Sequence, residues 1–223
     1  MTDNLSRNIR KNYDAVADQY ALKLFDELRN KPFDRAQLDR FAAAIAGRGQ
    51  LCDMGCGPGH IARYLRDTGA DIFGLDLSPQ MLVHARRLNP DIAFRVGNFM
   101  ALDLADESLA GIAAFYAIVN IPRESLPIVF SEMARVLQPD GLLLLAFHAG
   151  DEIIHPKEMW SRPVTMDFYY FQPSEIRQLL EDAGFVIEEH LERDPYPEVE
   201  HQSRRAYIFA RNAAGTEPAQ IAC

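Results

Sequence analysis

Between residues 48 and 147, short apolar runs alternate with segments of helical periodicity. Two of the helical segments are IARYLRDTG and PQMLVHARRL, and Ser78 and Pro79 mark the start of the second as its N-cap and first residue. Strands joined by helical crossovers pair in parallel and are covered on both faces, so this pattern predicts an α/β fold. The predicted strands are QLCDM, DIFGLDL, IAFRVGNF, AGIAAFYA and LLLLAFH.

The flanking segments complete a single predicted domain. Residues 1–47 contain two amphipathic helices, one from Ser6, as N-cap, to Asn30 and one from Pro32 to Ala46. Residues 148–172 are rich in aromatics and lack a sustained period, which indicates an insertion over the substrate. Residues 173–211 supply a helix and two strands too closely spaced for a crossover, so the last strand is antiparallel. The expectation is a Rossmann-like, doubly wound sheet of seven strands, with a flexible tail over residues 212–223.

Charge and composition limit the partners that can be expected. The net charge of −9 and pI near 5.1 disfavour binding to nucleic acid or to an anionic membrane. No apolar stretch reaches the ~18 residues of a membrane span, and the first residues lack an apolar signal region, so a cytoplasmic location is expected. The three cysteines have no second ligand cluster at metal-binding spacing, and no metal site is predicted. The sequence does not determine the oligomeric state.

Three glycines in LCDMGCGPGH lie where the first strand meets the following helix. Free N–H groups at a helix N-terminus and a bare main chain favour close approach of a ligand. A dinucleotide fingerprint requires Gly-x-Gly-x-x-Gly, but the third glycine, Gly59, comes one place early and His60 takes the sixth position. A nicotinamide-dependent oxidoreductase is therefore the weaker alternative.

The spacing Asp53-x-Gly55-x-Gly57-x-Gly59 resembles motif I of the class I S-adenosylmethionine-dependent methyltransferases. The resemblance implies that this loop, including Cys56, holds S-adenosylmethionine. Asp53 either orders the loop by accepting backbone N–H groups or contacts the cofactor directly. Asp76, at the end of the second strand, matches the acidic residue that accepts both ribose hydroxyls in that family. Leu77 and Met81 would then flank the adenine.

Three further segments match the same family in order. In VGNF, Asn98 takes the place of an aspartate that holds the adenine amino group, and Phe99 would pack on the ring. The stretch ARVLQPDGLLLLAF resembles the region around the fifth strand. YDAVADQY resembles a lid helix, with Tyr13 and Tyr20 over the cofactor, although aromatics at this spacing also suit a core.

The resemblance implies methyl transfer to a small organic acceptor by in-line displacement, at oxygen or nitrogen. The (N/D)PP(Y/F/W) sequence of amino-methylating nucleic-acid enzymes is missing from AFYAIVNIP. Phe115 would face the methyl donor, and Tyr116 and His148 are the candidate bases. A non-catalytic module that binds S-adenosylmethionine remains an alternative.

The aromatic residues of the insertion either line the acceptor pocket or pack the insertion down: Trp160, Phe168, Tyr169, Tyr170 and Phe171.

Overall fold

The computed structural model describes residues 2–213 of the 223-residue chain. Seven strands form one sheet in the order β10-β11-β5-β4-β1-β2-β3. The five strands from β5 to β3 in this order run parallel, whereas β11 is antiparallel to both β5 and β10. The predicted seven-stranded, mostly parallel sheet is confirmed. Its strands are β1 (Leu51–Met54), β2 (Ile72–Asp76), β3 (Ala93–Val96), β4 (Leu109–Phe115), β5 (Leu137–His148), β10 (Phe185–Arg193) and β11 (Arg205–Asn212).

Six α-helices surround the sheet in the described part of the chain: α1 (Thr2–Leu24), α2 (Pro32–Ala44), α3 (His60–Asp67), α4 (Pro79–Leu88), α5 (Leu126–Val136) and α6 (Pro173–Asp182). The predicted cap of α4 is confirmed, since Ser78 Oγ accepts the Met81 N–H at 3.1 Å. The predicted cap of α1 is wrong, because Ser6 lies one turn inside the helix. The sequence predicts that the first helix reaches Asn30, but it ends at Leu24, and a separate 3-10 turn covers Glu27–Asn30.

The apolar core lies on both faces of the sheet. Phe130, Met133 and Ile176 pack α5 and α6 against one face. Phe41 and Leu65 pack α2 and α3 against the other. The central strands β1 and β4 are therefore buried along almost their whole length, which explains their continuous apolar sequence.

The insertion after β5 is more ordered than its irregular sequence suggests. It forms two short antiparallel pairs, β6 (Ile153–Ile154) with β9 (Phe168–Tyr169) and β7 (Glu158–Met159) with β8 (Arg162–Pro163). Val164 and Met166 pack against Val16 and Ala17 of α1. The insertion and α1 thus cover the same edge of the sheet.

The C-terminal boundary differs slightly from the expectation. Asn212 is the last residue of β11 and is buried, and its side-chain amide donates to the carbonyl oxygen of Leu137 at 2.8 Å. The rest of the predicted tail from residue 214 lies outside the described residues. Within the described part of the chain, no helix is both long and apolar enough to cross a membrane.

Candidate functional site

The glycine loop joins β1 to α3, and its three glycines are needed for different reasons. All three have positive φ, at 80° for Gly55, 50° for Gly57 and 84° for Gly59. A Cβ at Gly59 would lie 2.8 Å from side-chain atoms of Asn89 and Phe94, and one at Gly55 would lie 2.8 Å from the Ala117 Cβ. A Cβ at Gly57 would approach only Tyr20, at 3.5 Å. Gly55 and Gly59 are therefore both required by packing, and Gly55 and Gly57 leave main chain exposed to a cavity.

Asp76 ends β2 beside this loop and lines the same cavity. Its two carboxylate oxygens accept the Gly57 N–H at 2.9 Å and the Ser78 N–H at 2.8 Å. Burial raises the pKa of this carboxyl to about 6, and these N–H groups and the nearby Asp14 carboxylate have smaller effects. At neutral pH it is an ionised acceptor with lone pairs to spare, which suits a pair of hydroxyl donors.

Asp53 orders the glycine loop, which is one of the two roles that the sequence leaves open for it. It is 1% exposed, lies behind the loop and is not among the cavity-lining residues. One of its oxygens accepts the Ala62 N–H at 2.9 Å, in the first turn of α3, so it orders the loop from behind. Burial raises its pKa to about 7. Cys56 and Gly59 also lie outside the lining; Cys56 contributes its backbone N–H to the Leu75 carbonyl at 3.1 Å.

One side of the cavity contains the residues that the resemblance assigns to the adenine. Leu77, Met81, Asn98 and Phe99 all line it. Asn98 Oδ1 accepts the Met100 N–H at 3.1 Å, and its Nδ2 donates to Ser6 Oγ of α1 at 3.1 Å. The Asn98 oxygen retains a lone pair for an amine, and its side chain also joins β3 to the lid.

Helix α1 closes the cavity with one face. Ser6, Ile9, Tyr13 and Tyr20 line it, at spacings of three, four and seven residues. The Tyr13 hydroxyl donates to Asn120 Oδ1 at 2.6 Å, and Asn120 Nδ2 donates to the Asp167 carbonyl of the insertion at 2.7 Å. Asn120 therefore ties the lid helix, the segment after β4 and the insertion together.

Tyr116 follows Phe115 at the end of β4, and both line the cavity. Tyr116 adopts φ 54°, a left-handed conformation that a bulky residue rarely takes and that is found most often at functional sites. Its hydroxyl is buried, and burial together with the nearby Asp34 raises the pKa of the phenol well above its ordinary value. Tyr116 therefore stays protonated at neutral pH and is not the ready base that the sequence suggested.

His148 is also a poor base in this position. It does not line the cavity but stacks on Tyr170, with ring centroids 5.0 Å apart. Its Nδ1 accepts from Arg205 at 2.8 Å, so the neutral ring carries its proton on Nε2 and no ring nitrogen is left to take another. Burial and the Arg205 charge lower its pKa to about 3.

The aromatics of the insertion pack it down and do not line the cavity. Trp160 contacts Tyr20 edge to face, with centroids 5.7 Å apart. Phe171 is fully buried against Phe147 of β5. The Tyr170 hydroxyl pairs with His201 Nε2. Of the two interpretations that the sequence left open, the structure supports packing.

The cavity contains about 670 Å³ of empty space, counting its opening to solvent. Eleven of the fifteen residues predicted for the site line it, and the other four are Asp53, Cys56, Gly59 and His148. Sequence reasoning missed Ser6 and Ile9, although both share a helix face with Tyr13. It also missed residues in two loops: Met100, Ala117, Asn120 and Ile121.

A family model described as a methyltransferase domain matches residues 51–141, which span the glycine loop, Asp76 and Asn98. This match makes residues 51–141 similar to a methyltransferase domain, in agreement with the resemblance noted in the sequence. Malonyl-[acyl-carrier protein] O-methyltransferase from Enterobacter lignolyticus is 31% identical over 59% of this chain and 53% of its own. Demethylmenaquinone methyltransferase from Beutenbergia cavernae is 30% identical over 62% and 54%. The chain thus spans about half the length of these two relatives.

Solved structures show the same fold at low identity. Magnesium protoporphyrin IX methyltransferase from Synechocystis, with bound S-adenosylmethionine, gives a TM-score of 0.66 at 18% identity over 93% of this chain and 97% of its own. A methyltransferase from Haloferax volcanii, in complex with the Trm112 activator, gives 0.68 at 22% identity over 94% and 100%. The fold therefore extends well beyond the segment matched by the family model.

Proposed function

We infer that the protein transfers a methyl group from S-adenosylmethionine to a small organic acceptor. One observation carries this proposal: the Asp76 carboxylate and the bare main chain at Gly55 and Gly57 face the same cavity. The residues fit the nucleoside, since Asp76 would accept the ribose hydroxyls and Leu77, Met81, Asn98 and Phe99 would surround the adenine. S-adenosylmethionine supplies an activated methyl group on a sulfonium, so little bond-making chemistry is left to the protein.

The chain's own residues then position and shield the reaction. Tyr13 and Tyr20 hold α1 over the cavity, and the Asn120 hydrogen bonds fasten it to the insertion. This cover excludes water and has to open for exchange of product. Phe115 and Tyr116 form the part of the cavity wall next to which an acceptor would meet the methyl group.

Methylation at oxygen is favoured over nitrogen by the names of relatives such as the malonyl-[acyl-carrier protein] O-methyltransferases. The names of the relatives give malonyl-[acyl-carrier protein] and demethylmenaquinone as what they methylate, and neither is a nucleic acid, which agrees with the acidic charge balance. We also retain the cytoplasmic location as part of this proposal.

The experiment is a pair of measurements on the full chain. Isothermal titration with S-adenosylmethionine and with NADH tests the choice of cofactor, and we expect heat only with the first. Transfer of labelled methyl to a panel of small carboxylic acids, phenols and amines then tests catalysis. Binding without transfer to any class would favour the non-catalytic module, and binding of NADH alone would contradict the proposal.

A further inference from the structure

The hairpin in the middle of the insertion has an unusual turn. Strands β7 and β8 are joined by two residues, Trp160 and Ser161, whose φ angles are 50° and 62°. A type I′ turn requires two positive φ values, and asparagine, aspartate and glycine are the residues that suit it. A bulky residue in this conformation is an outlier that persists only where the surrounding structure holds it. Two strands of two residues each cannot supply that support alone.

The support for this turn comes from helix α1. The Trp160 ring packs edge to face on Tyr20, with ring centroids 5.7 Å apart and an interplanar angle of 80°. This is a favourable arrangement for two aromatic rings. Trp160 and its neighbour Met159 also pack against the buried cluster that contains Val16 of α1 and Met166 of the insertion. The turn therefore directs its tryptophan onto the lid helix.

Tyr20 in turn covers the glycine loop. It lines the cavity, and a Cβ at Gly57 would lie 3.5 Å from Tyr20 Cε1. Tyr20 lies in the last turns of α1, which ends at Leu24, and helix ends fray. Over residues 2–213, the rings that contact Tyr20 are Tyr13 of the same helix, at 6.1 Å, and Trp160. Trp160 is thus its one aromatic contact from outside α1 in this range.

Polar contacts hold the earlier part of α1 more firmly than its end. Asn12 Oδ1 accepts the Thr165 N–H of the insertion at 2.7 Å. Further along the helix, Asp18 pairs with His84 at 2.8 Å, but the Asp18 side chain is 84% exposed. Exposed pairs of this kind contribute little to stability. The C-terminal end of α1 is therefore held mainly by apolar packing.

We propose that Trp160 is a positioning residue of the proposed cofactor site: it holds Tyr20 over Gly57, and the ligand at the glycine loop leaves only when this contact opens. Trp160 does not line the cavity, so it acts through Tyr20 and not by touching the cofactor. This proposal rests on the proposed methyl transfer and adds a residue that sets how fast the product is released.

The test measures how fast S-adenosylhomocysteine dissociates from the full chain, by surface plasmon resonance on immobilised protein. Loss of an edge-to-face pair raises the fraction of open lid, so we expect Trp160→Ala to release the product roughly three- to tenfold faster. Trp160→Phe keeps a ring on Tyr20 and should stay within about twofold of the wild type. An unchanged rate in Trp160→Ala, or an equal acceleration in both variants, would overturn the proposal.

Tyr169→Ala is the matched control. Tyr169 belongs to the same insertion but stacks on Phe171, with ring centroids 6.3 Å apart. All rates are measured well below the melting temperature of each variant, and we expect this control to release the product at the wild-type rate. An acceleration equal to that of Trp160→Ala would mean that any loosening of the insertion speeds release, and it would reject the specific role of Trp160.

Fluorescence of the wild type provides a second test, which stands even if Trp160→Ala does not fold. Trp160 is the one tryptophan of the chain, so quenching by acrylamide reports its exposure. A ligand that favours the closed contact should lower the quenching constant at least about twofold at saturation. Equal constants with and without S-adenosylhomocysteine would overturn the proposal.

Calorimetric titration of the wild type with S-adenosylhomocysteine separates the two possible failures. Lack of heat in that titration rejects the proposed function itself. Normal heat with an unchanged dissociation rate in Trp160→Ala rejects only the role of Trp160.

Discussion

The two sides of the cavity are built in different ways. The proposed cofactor side takes most of its groups from residues 55–99, and several of them are main-chain atoms of one loop and the ends of adjacent strands. The proposed acceptor wall at Tyr116, after β4, is backed by side chains from separate segments that lie outside the cavity lining: Lys31 before α2, His148 at the end of β5 and Arg205 in β11. The first side depends on local backbone geometry and the second on tertiary packing.

This difference predicts different responses to substitution. A change in the glycine loop disturbs backbone conformation and packing together, so its effect on stability is large. A change on the acceptor side removes one contact from a network and leaves the fold in place. The following substitutions test the contrast in order of decreasing effect.

Gly59→Ala is expected to have the largest effect. The substitution places a Cβ 2.8 Å from Phe94 and Asn89 atoms at φ 84°, which adds a steric clash to the left-handed strain. We expect a loss of about 3 kcal/mol in the free energy of unfolding, measured in urea. Gly69→Ala is the control, because φ is 95° there but no atom lies within 4 Å, and it should cost about 1 kcal/mol. Equal losses of unfolding free energy in the two variants would mean that the Phe94 and Asn89 contacts do not add to the cost of a Cβ at Gly59.

Asp53→Asn tests the buried carboxyl behind the loop through the pH dependence of stability. Burial raises the folded-state pKa of Asp53 from 3.8 to about 7, so the folded protein binds this proton more tightly than the unfolded chain. Stability from this group is present below about pH 4 and is lost as pH rises towards 7. Between pH 5 and 8 the wild type should therefore lose more stability than the variant, by at least ~1 kcal/mol. If the unfolding free energies of the two proteins, measured in urea, change by the same amount between pH 5 and 8, Asp53 is already ionised at pH 5.

Tyr13→Phe should have the smallest effect. It removes the 2.6 Å hydrogen bond to Asn120 and keeps the ring on the lid, so we expect a loss of about 1 kcal/mol in unfolding free energy. Trp160, the one tryptophan of the chain, contacts Tyr20 of the same helix, and its fluorescence should report a loosened lid. If melting and fluorescence both match the wild type, the Tyr13 bond does not hold the lid closed.

The same contrast explains what could be predicted from the sequence. Strand and helix alternation, the Ser78 cap and the position of Asp76 depend on local periodicity and spacing, and all three are confirmed. The packing role of Gly59 depends on Phe94 and Asn89, which only the tertiary structure brings to the loop. In the same way, the motif names Asp53, but only the fold shows that it faces α3 and not the cavity.

The acceptor side could not be predicted because its residues are far apart in sequence. Tyr116 and Arg205 are separated by 89 positions (205 − 116), and antiparallel β11 beside β5 brings them together. His148 was singled out for its residue type and strand-end position. In the structure, His148 Nδ1 accepts a hydrogen bond from Arg205, so this nitrogen is not available as a base. No local sequence pattern reveals this contact. The insertion strands are two residues each, too short to show a period.

The most direct test of the central claim is calorimetric titration of S-adenosylmethionine into the wild type, Asp76→Ala and the control Asp71→Ala. Asp71 is an exposed carboxylate next to the opposite end of β2. If Asp76 accepts the ribose hydroxyls, its removal weakens binding by about 1.5–3 kcal/mol, a factor of roughly ten to more than a hundred, and Asp71→Ala binds like the wild type. Equal affinities for all three proteins, or an absence of heat with the folded wild type, would contradict the assignment of this cavity to S-adenosylmethionine.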